Sequence, residues 1–191
     1  GFFDIPVDHL SATPVFYRYF TSIREELGNL CLVSPDVGNV KVAEGFANLL
    51  GGELAIIHKR RIDGKEVKTG GLIGSVKGKT VLMYDDMITT AGTVCEAAKL
   101  VLEEGAAKII VAATHPVMVG MAMERLGTSP ISRIVCTNTI PAVIAGQDRL
   151  VPIRERYVEL CVAEMLGNAI HNIHHNKSVS ELFRLTAGAK R

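Results

Sequence analysis

The sequence predicts a single α/β domain in which a mainly parallel central sheet is flanked by helices. Apolar segments rich in β-branched residues recur along the chain, each after a stretch with apolar residues at helical spacing. Glycines stand where the helical stretches end. The composition agrees: 191 residues, 48% hydrophobic and 21% charged, suit one globular domain with a substantial core.

Taken in order, "PVFYRYFTSIREEL" predicts a helix stopped at Gly28, and "NLCLVS" a buried strand. "VKVAEGFANLLG" predicts a helix stopped at Gly51, and "ELAIIHKR" a strand that ends in basic residues. The polar, glycine-rich stretch from Arg61 to Lys79 reads as a mobile loop or a hairpin. Next come the strand "TVLMYDD", the helix "AGTVCEAAKLVLEEG" closing at Gly105, and the strand "KIIVAATH". The short helix "VGMAMERLG" stops at Gly127 and leads to the strand "RIVCTNT". A weak strand, "LVPI", precedes a long helix, "ERYVELCVAEMLGNAIHNIHH". In "NKSVSELF", Ser178 and Glu181 fit a capping box for a last helical turn. No internal repeat, low-complexity segment or interdomain linker interrupts this order, so residues 1–191 read as one domain.

With 21 basic and 20 acidic side chains the formal charge is +1, which excludes bulk electrostatic binding of nucleic acid or of an anionic membrane. No run approaches the ~18 apolar residues of a membrane span, and the N-terminus lacks a signal-peptide layout. Cys31, Cys95, Cys136 and Cys161 stand far apart without a CxxC pair. Three of them lie in apolar runs, as buried thiols do in a reducing compartment, which predicts a cytoplasmic protein. His171, His174 and His175 have no cysteine or acidic partner at a zinc-like spacing and read as a solvated helix end. The chain opens on Gly1 directly into "GFFDIPVDHL", which reads as the middle of something longer.

In a parallel sheet ligands bind beyond the carboxyl ends of the strands. Asp85 and Asp86 end one such strand. Adjacent side chains on an extended chain point to opposite faces, so at a strand tip the two carboxylates diverge around a polyhydroxyl group or a hydrated cation; a sugar diol or Mg²⁺ is the natural partner. Thr89, Thr90, Ala91, Gly92 and Thr93 then lead into a helix whose positive end and free N–H groups favour a phosphate. The bland alternative is an aspartate turn followed by a threonine N-cap.

"VLMYDDMITTAGT" resembles the phosphoribosyl pyrophosphate (PRPP) signature of proteins with the type I phosphoribosyltransferase fold. "GFFDIPVD", "SPDVGN", "LAIIHKRR", "ATHPV", "TNTIP" and "HNKSVSELF" each resemble segments of one branch, the PRPP synthetases or ribose-phosphate diphosphokinases, in that family's order. The resemblance implies a phosphoribosyltransferase-like three-layer sandwich and the reaction of ATP with ribose 5-phosphate to give AMP and PRPP, with Mg²⁺ as cofactor.

Carried onto this chain, it implies that Asp85 and Asp86 hold the ribose hydroxyls and that Thr89, Thr90, Ala91, Gly92 and Thr93 form the ribose-5-phosphate loop. Thr89 stands where the family often has Asp or Ser. Asp36 matches an acidic residue of the sugar and Mg²⁺ region, or else makes a Pro-Asp turn capping the helix from Val40. Asn39 replaces a usual glycine, a position where asparagine tolerates left-handed backbone. Lys59 and Arg61 match the catalytic basic pair, whose cations offset charge on transferring oxygens; a solvated basic strand end is the alternative. Ser178, Ser180 and Phe183, with Asp8, resemble an allosteric site for phosphate or ADP between subunits, and Ser178 equally reads as a helix cap.

The resemblance covers one of two similar halves, so the preceding ATP-binding half is expected to be absent from this chain. It also implies a homo-oligomer, or pairing with such an N-terminal half. Two rival classes remain open: a PRPP-consuming phosphoribosyltransferase and a non-catalytic, synthetase-associated regulatory subunit. Retention of Lys59, Arg61, Asp85 and Asp86 favours descent from an active synthetase.

Overall fold

The computed structural model describes residues 3–35, 38–62, 66–141, 143–144 and 147–183. In chain order the elements are α1 (Thr13–Ser22), α2 (Arg24–Leu27), β1 (Leu30–Ser34), α3 (Val40–Leu50), β2 (Glu53–Ile62), β3 (Glu66–Ile73), β4 (Thr80–Met87) and α4 (Gly92–Glu103). There follow β5 (Lys108–His115), α5 (Ala122–Thr128), β6 (Arg133–Thr137), the short antiparallel ribbon of β7 (Val143–Ile144) and β8 (Gln147–Asp148), a 3-10 segment Val151–Arg156, β9 (Tyr157–Leu160), α6 (Ala163–His174) and a 3-10 turn Ser180–Phe183.

The main sheet has seven strands in the order β3-β2-β1-β4-β5-β6-β9. All neighbours are parallel except β2 and β3, which form a hairpin, one of the two readings of the glycine-rich stretch. From β1 the chain moves outward to β2 and β3; β4 then returns to the other side of β1 and the remaining strands proceed the opposite way. The order therefore reverses between β1 and β4, and parallel α/β sheets open their ligand crevice at that switch point.

Period-two alternation sorts the strand side chains into two cores. Leu30, Leu32, Leu82, Ile110, Ala112 and Val135 pack under Phe16, Phe20, Leu27, Phe46 and Leu50 of α1, α2 and α3. Cys31, Val33, Val81, Met83, Ile109 and Val111 face the opposite way, under α4, α5 and the 3-10 segment. A sheet buried on both faces explains why its strands read as nearly continuous apolar runs. Phe16 and Phe20 are fully buried, each contributing about 1.5–3 kcal/mol through its apolar surface.

Several local expectations are corrected. The first helix breaks at Ile23, whose backbone leaves helical geometry between α1 and α2. Gly127 lies inside α5 and is not its stop, whereas Gly51 closes α3 in the left-handed region that glycine adopts without strain. "LVPI" contributes to a 3-10 segment, with Pro152 near its start and no free N–H there to join a ladder. The long helix splits: Tyr157–Leu160 forms the edge strand β9, pairing with β6 from Tyr157↔Ile134 to Leu160↔Thr137, and the helix starts only at Ala163. Tertiary pairing overrides helical spacing there. The final turn forms as a 3-10 turn from Ser180, and Ser178 Oγ accepts from the Ser180 N–H at 3.2 Å, one residue earlier than a capping box uses.

Candidate functional site

The tip of β4 is the centre of the switch point. Tyr84, the last residue before the acidic pair, is wedged between Phe16 and Phe46, with ring centroids 5.0 and 4.9 Å away. Its hydroxyl shares a hydrogen bond with Thr114 Oγ1 at 2.8 Å. Burial pushes its phenol up from the ordinary value, and the bond with Thr114 acts against that. Tyr84 thus anchors the strand where its character changes. Asp85 is half-buried and Asp86 exposed, and the Asp86 N–H donates to Asp85 Oδ1 at 2.8 Å. Alternation puts Asp85 on the side of Met83 and α4, and Asp86 on the side of Tyr84 and α3.

Beyond β4 the chain is tied down before it reaches α4. Ile88 is buried; its N–H donates to the His115 carbonyl and its carbonyl accepts from the Met118 N–H, at 3.0 and 2.8 Å. The Val119 N–H donates to the Thr89 carbonyl at 3.0 Å. Thr89, Thr90 and Thr93 are exposed, while Ala91 is buried and left-handed at φ 58°. The threonine N-cap of the alternative reading is not found: Ala91 occupies the cap position of α4 and no side chain caps that helix. The N–H groups of the first helical turn, which have no carbonyl partner within the helix, therefore start beside the loop. Residues 85–94 together line a pocket of about 210 Å³.

The neighbouring strand brings the second expected segment to the same place. β1 lies beside β4 in register Leu32↔Leu82, and after it the Asn39 side-chain amide donates to the Tyr84 carbonyl at 2.8 Å. Asn39 sits at φ −99°, so the left-handed conformation expected for it is not used. Asp36 lies outside the described residues. β2 pairs with β1 only as far as Ile56↔Ser34, so the stretch that carries Lys59 and Arg61 runs past the tip of β1 with β3 as its partner. An irregularity in register between Ile57 and Lys59 marks where this arm begins. Lys59 and Arg61, opposite Thr69 and Val67, are described by backbone register alone.

The regulatory candidates lie on elements other than β4 and its loop. Asp8 is on the exposed lead-in to α1, and the 3-10 turn Ser180–Phe183 packs against α1 and α6. Asn172 Nδ2 donates to the Ser178 carbonyl at 3.0 Å and holds the turn to α6. Ser178 and Ser180 are exposed, and Phe183 is described by its backbone. His171, His174 and His175 are exposed, with rings 4.2 and 5.0 Å apart, and among the described residues no group of His, Cys, Asp and Glu could hold a metal ion. Also among the described residues, no helix is long and apolar enough to cross a membrane.

Sequence reasoning missed two arginines that stake this region. Arg149 donates to the carbonyls of Val117 and Met118 at 2.5 and 3.0 Å, and Arg125 donates to the Thr90 carbonyl at 2.9 Å. Neither lies in a motif; the fold brings Arg125 to the β4 loop and Arg149 to the Val117–Met118 segment that holds it.

Residues 62–184 match the model of the phosphoribosyl synthetase-associated domain. The chain is 50% identical over 185 residues to a ribose-phosphate pyrophosphokinase of Rhodopirellula baltica, covering 96% of this chain and 57% of that protein. With the enzyme of the same name from Gloeobacter violaceus it shares 43% over 185 residues, 96% of this chain and 53% of the relative. A crystal structure of phosphoribosylpyrophosphate synthetase from Mycobacterium smegmatis superposes with a TM-score of 0.77 at 36% identity, over 92% of this chain and 54% of that one. The chain thus spans about half the length of the relatives it matches. By the family model, and by an architecture that places the acidic pair and its loop at the switch point of the sheet, the chain belongs to the phosphoribosyl synthetase-associated domain family.

Proposed function

We propose that this chain is the ribose-5-phosphate-binding half of a ribose-phosphate diphosphokinase, which converts ATP and ribose 5-phosphate to AMP and PRPP. The observation that carries the reading is the meeting of Asp85, Asp86 and an uncapped helix start around one pocket at the point where the strand order reverses. A pentose phosphate has the two features such a site recognises, a diol for carboxylates and a dianion for backbone N–H groups. Similarity to pyrophosphokinases along nearly the whole of this chain supports the same reading.

In this proposal Asp85 and Asp86 accept hydrogen bonds from the ribose hydroxyls, and residues 89–93 hold the 5-phosphate. The C1 hydroxyl oxygen forms a bond to the β-phosphorus of ATP, the bond from that phosphorus to the bridging oxygen on the AMP side breaks, and the hydroxyl proton is released. Fixing the sugar at both ends orients C1 for in-line attack. Lys59 and Arg61, on the arm that runs past the tip of β1, are assigned to offset charge on the transferring oxygens.

The exposed carboxylate of Asp86 and the adjoining Asp85 suit Mg²⁺, which needs only one or two carboxylates besides water and substrate oxygens; Asp36 is the further candidate ligand. When bound, Mg²⁺ supplies charge neutralisation of the phosphates. ATP is assigned to the other half of the length seen in the relatives. The exposed apolar residues Leu166, Ile170 and Ile173 on α6, and Phe3, Ile5 and Val7 before α1, support assembly with such a half or with further copies. Ser178, Ser180, Phe183 and Asp8 are proposed to bind phosphate or ADP as regulators. Four free cysteines are consistent with a cytoplasmic location.

The test has two arms. In calorimetric titration with Mg²⁺ present, the folded chain binds ribose 5-phosphate, and Asp86→Asn weakens binding about tenfold or more, as loss of a charged hydrogen-bond acceptor does. In an assay of AMP release, the isolated chain forms no PRPP from ATP. Absence of binding by well-folded protein sinks the site assignment, and robust turnover sinks the division of labour between halves.

A further inference from the structure

The β4 loop is oriented from outside by a segment with no place in the proposed chemistry. The carbonyls of Ile88, Thr89 and Thr90 accept, in turn, from the Met118 N–H, the Val119 N–H and Arg125 Nη1, at 2.8, 3.0 and 2.9 Å. Across a trans peptide the N–H of the next residue points opposite to the carbonyl. Holding these three carbonyls therefore sets the directions of the Thr89, Thr90 and Ala91 N–H groups, donors that an anion in this loop would use. The first two holds are made by backbone; the third is made by a side chain, at the peptide just before the left-handed Ala91.

Arg125 is half-buried and sits close against the start of α4: a Cβ on Gly92 would lie 3.3 Å from its Nη1. A cation there runs against the positive end of the helix dipole. The placement makes physical sense where the guanidinium is engaged by a carbonyl and an anion shares the neighbourhood. On its outer side the guanidinium borders an open pocket of about 430 Å³ lined also by Glu96, Lys99 and Thr128.

We propose that Arg125 is a positioning residue for the sugar-phosphate loop: by holding the Thr90 carbonyl it fixes the Thr90–Ala91 peptide and aims the Ala91 N–H for the 5-phosphate. The ligand clause of this proposal rests on the function proposed above, and the bracing itself does not. Arg125→Ala is compared with the unaltered chain by ligand-free hydrogen exchange of the Val119 and Cys95 amides, which donate to the Thr89 and Ala91 carbonyls on either side of the braced peptide, and by calorimetric titration with ribose 5-phosphate and Mg²⁺. Arg125→Gln replaces it should the alanine variant fail to fold.

The expected result is exchange of the Val119 and Cys95 amides faster by about tenfold or more, affinity weaker by about tenfold, and partial restoration of both by added guanidinium, which the bordering pocket admits. A folded variant with unaltered loop exchange overturns the proposal, and so does faster exchange with unaltered affinity. Faster exchange in the variant, with no sugar-phosphate binding even by the unaltered chain, upholds the brace and overturns the sugar-phosphate reading instead.

Discussion

The side-chain amide of Asn39 donates to the carbonyl of Tyr84 across 2.8 Å, joining the loop after β1 to the last residue before the acidic pair. This bond ties the two halves of the switch point together, so its loss should be felt in both stability and binding. Asn39→Ala is expected to lower unfolding free energy by about 1 kcal/mol, the net worth of one buried hydrogen bond, and to weaken ribose 5-phosphate binding with Mg²⁺ severalfold. Denaturant titration and calorimetry on the same variant check both.

Ala91 holds a left-handed backbone at φ 58° while buried. A β-branched residue is a steric outlier in that region, so Ala91→Val should destabilise the chain by roughly 1–3 kcal/mol and loosen the loop. Ala91→Gly relieves the strain while adding freedom to the unfolded chain, and is expected to change stability by less than about 1 kcal/mol. Thermal unfolding of the two variants side by side distinguishes them.

At the opposite end of the sheet Glu26 meets Arg133 at 2.6 Å and Lys108 at 3.2 Å, joining α2 to the starts of β6 and β5. The Arg133 hydrogen bond first, then the Lys108 bond, holds the Glu26 carboxyl below its ordinary value. Its stabilising contribution is therefore complete above the unfolded-state pKa of glutamate and is lost as pH falls through the lower folded value. Glu26→Gln should flatten the acid limb of a stability-against-pH curve measured by denaturant titration; an unchanged limb would refute the assignment.

Burial pushes the thiols of Cys31, Cys95 and Cys136 up, that of Cys136 to about 12, whereas Cys161 is exposed. Because the thiolate is the reactive species, a disulfide reagent at mildly alkaline pH should modify one thiol quickly in the native chain and the other three only on unfolding. Cys161→Ser should abolish the fast phase. Asn138, whose side chain contacts Cys161 Sγ at 3.4 Å, offers a local probe of the modification.

Much of the architecture was legible because local chemistry and final structure agree. The apolar runs of β1, β4, β5 and β6 are strands with residues buried on both sides, and Gly51 ends α3 where a left-handed turn is needed. The misreadings fall where local pattern and tertiary demand diverge. Tyr157–Leu160 carries helical spacing yet completes the edge of the sheet beside β6. Gly127, read as a stop, sits within α5 with Pro152 of the 3-10 segment packed 3.7 Å from where its Cβ would be.

At the site, the chemistry on offer is written in the residues themselves: two carboxylates at a strand end and a small hydroxyl loop before a helix, which residue type and spacing state directly. What stands around them depends on how the strands assemble. The order β3-β2-β1-β4-β5 sets the tip of β1 beside Asp85; the fold carries Arg125 back to the loop, and Arg149 to the Val117–Met118 segment that holds it. Strand order follows from which apolar faces bury most surface together, a property of the packed whole that no short stretch of residues contains.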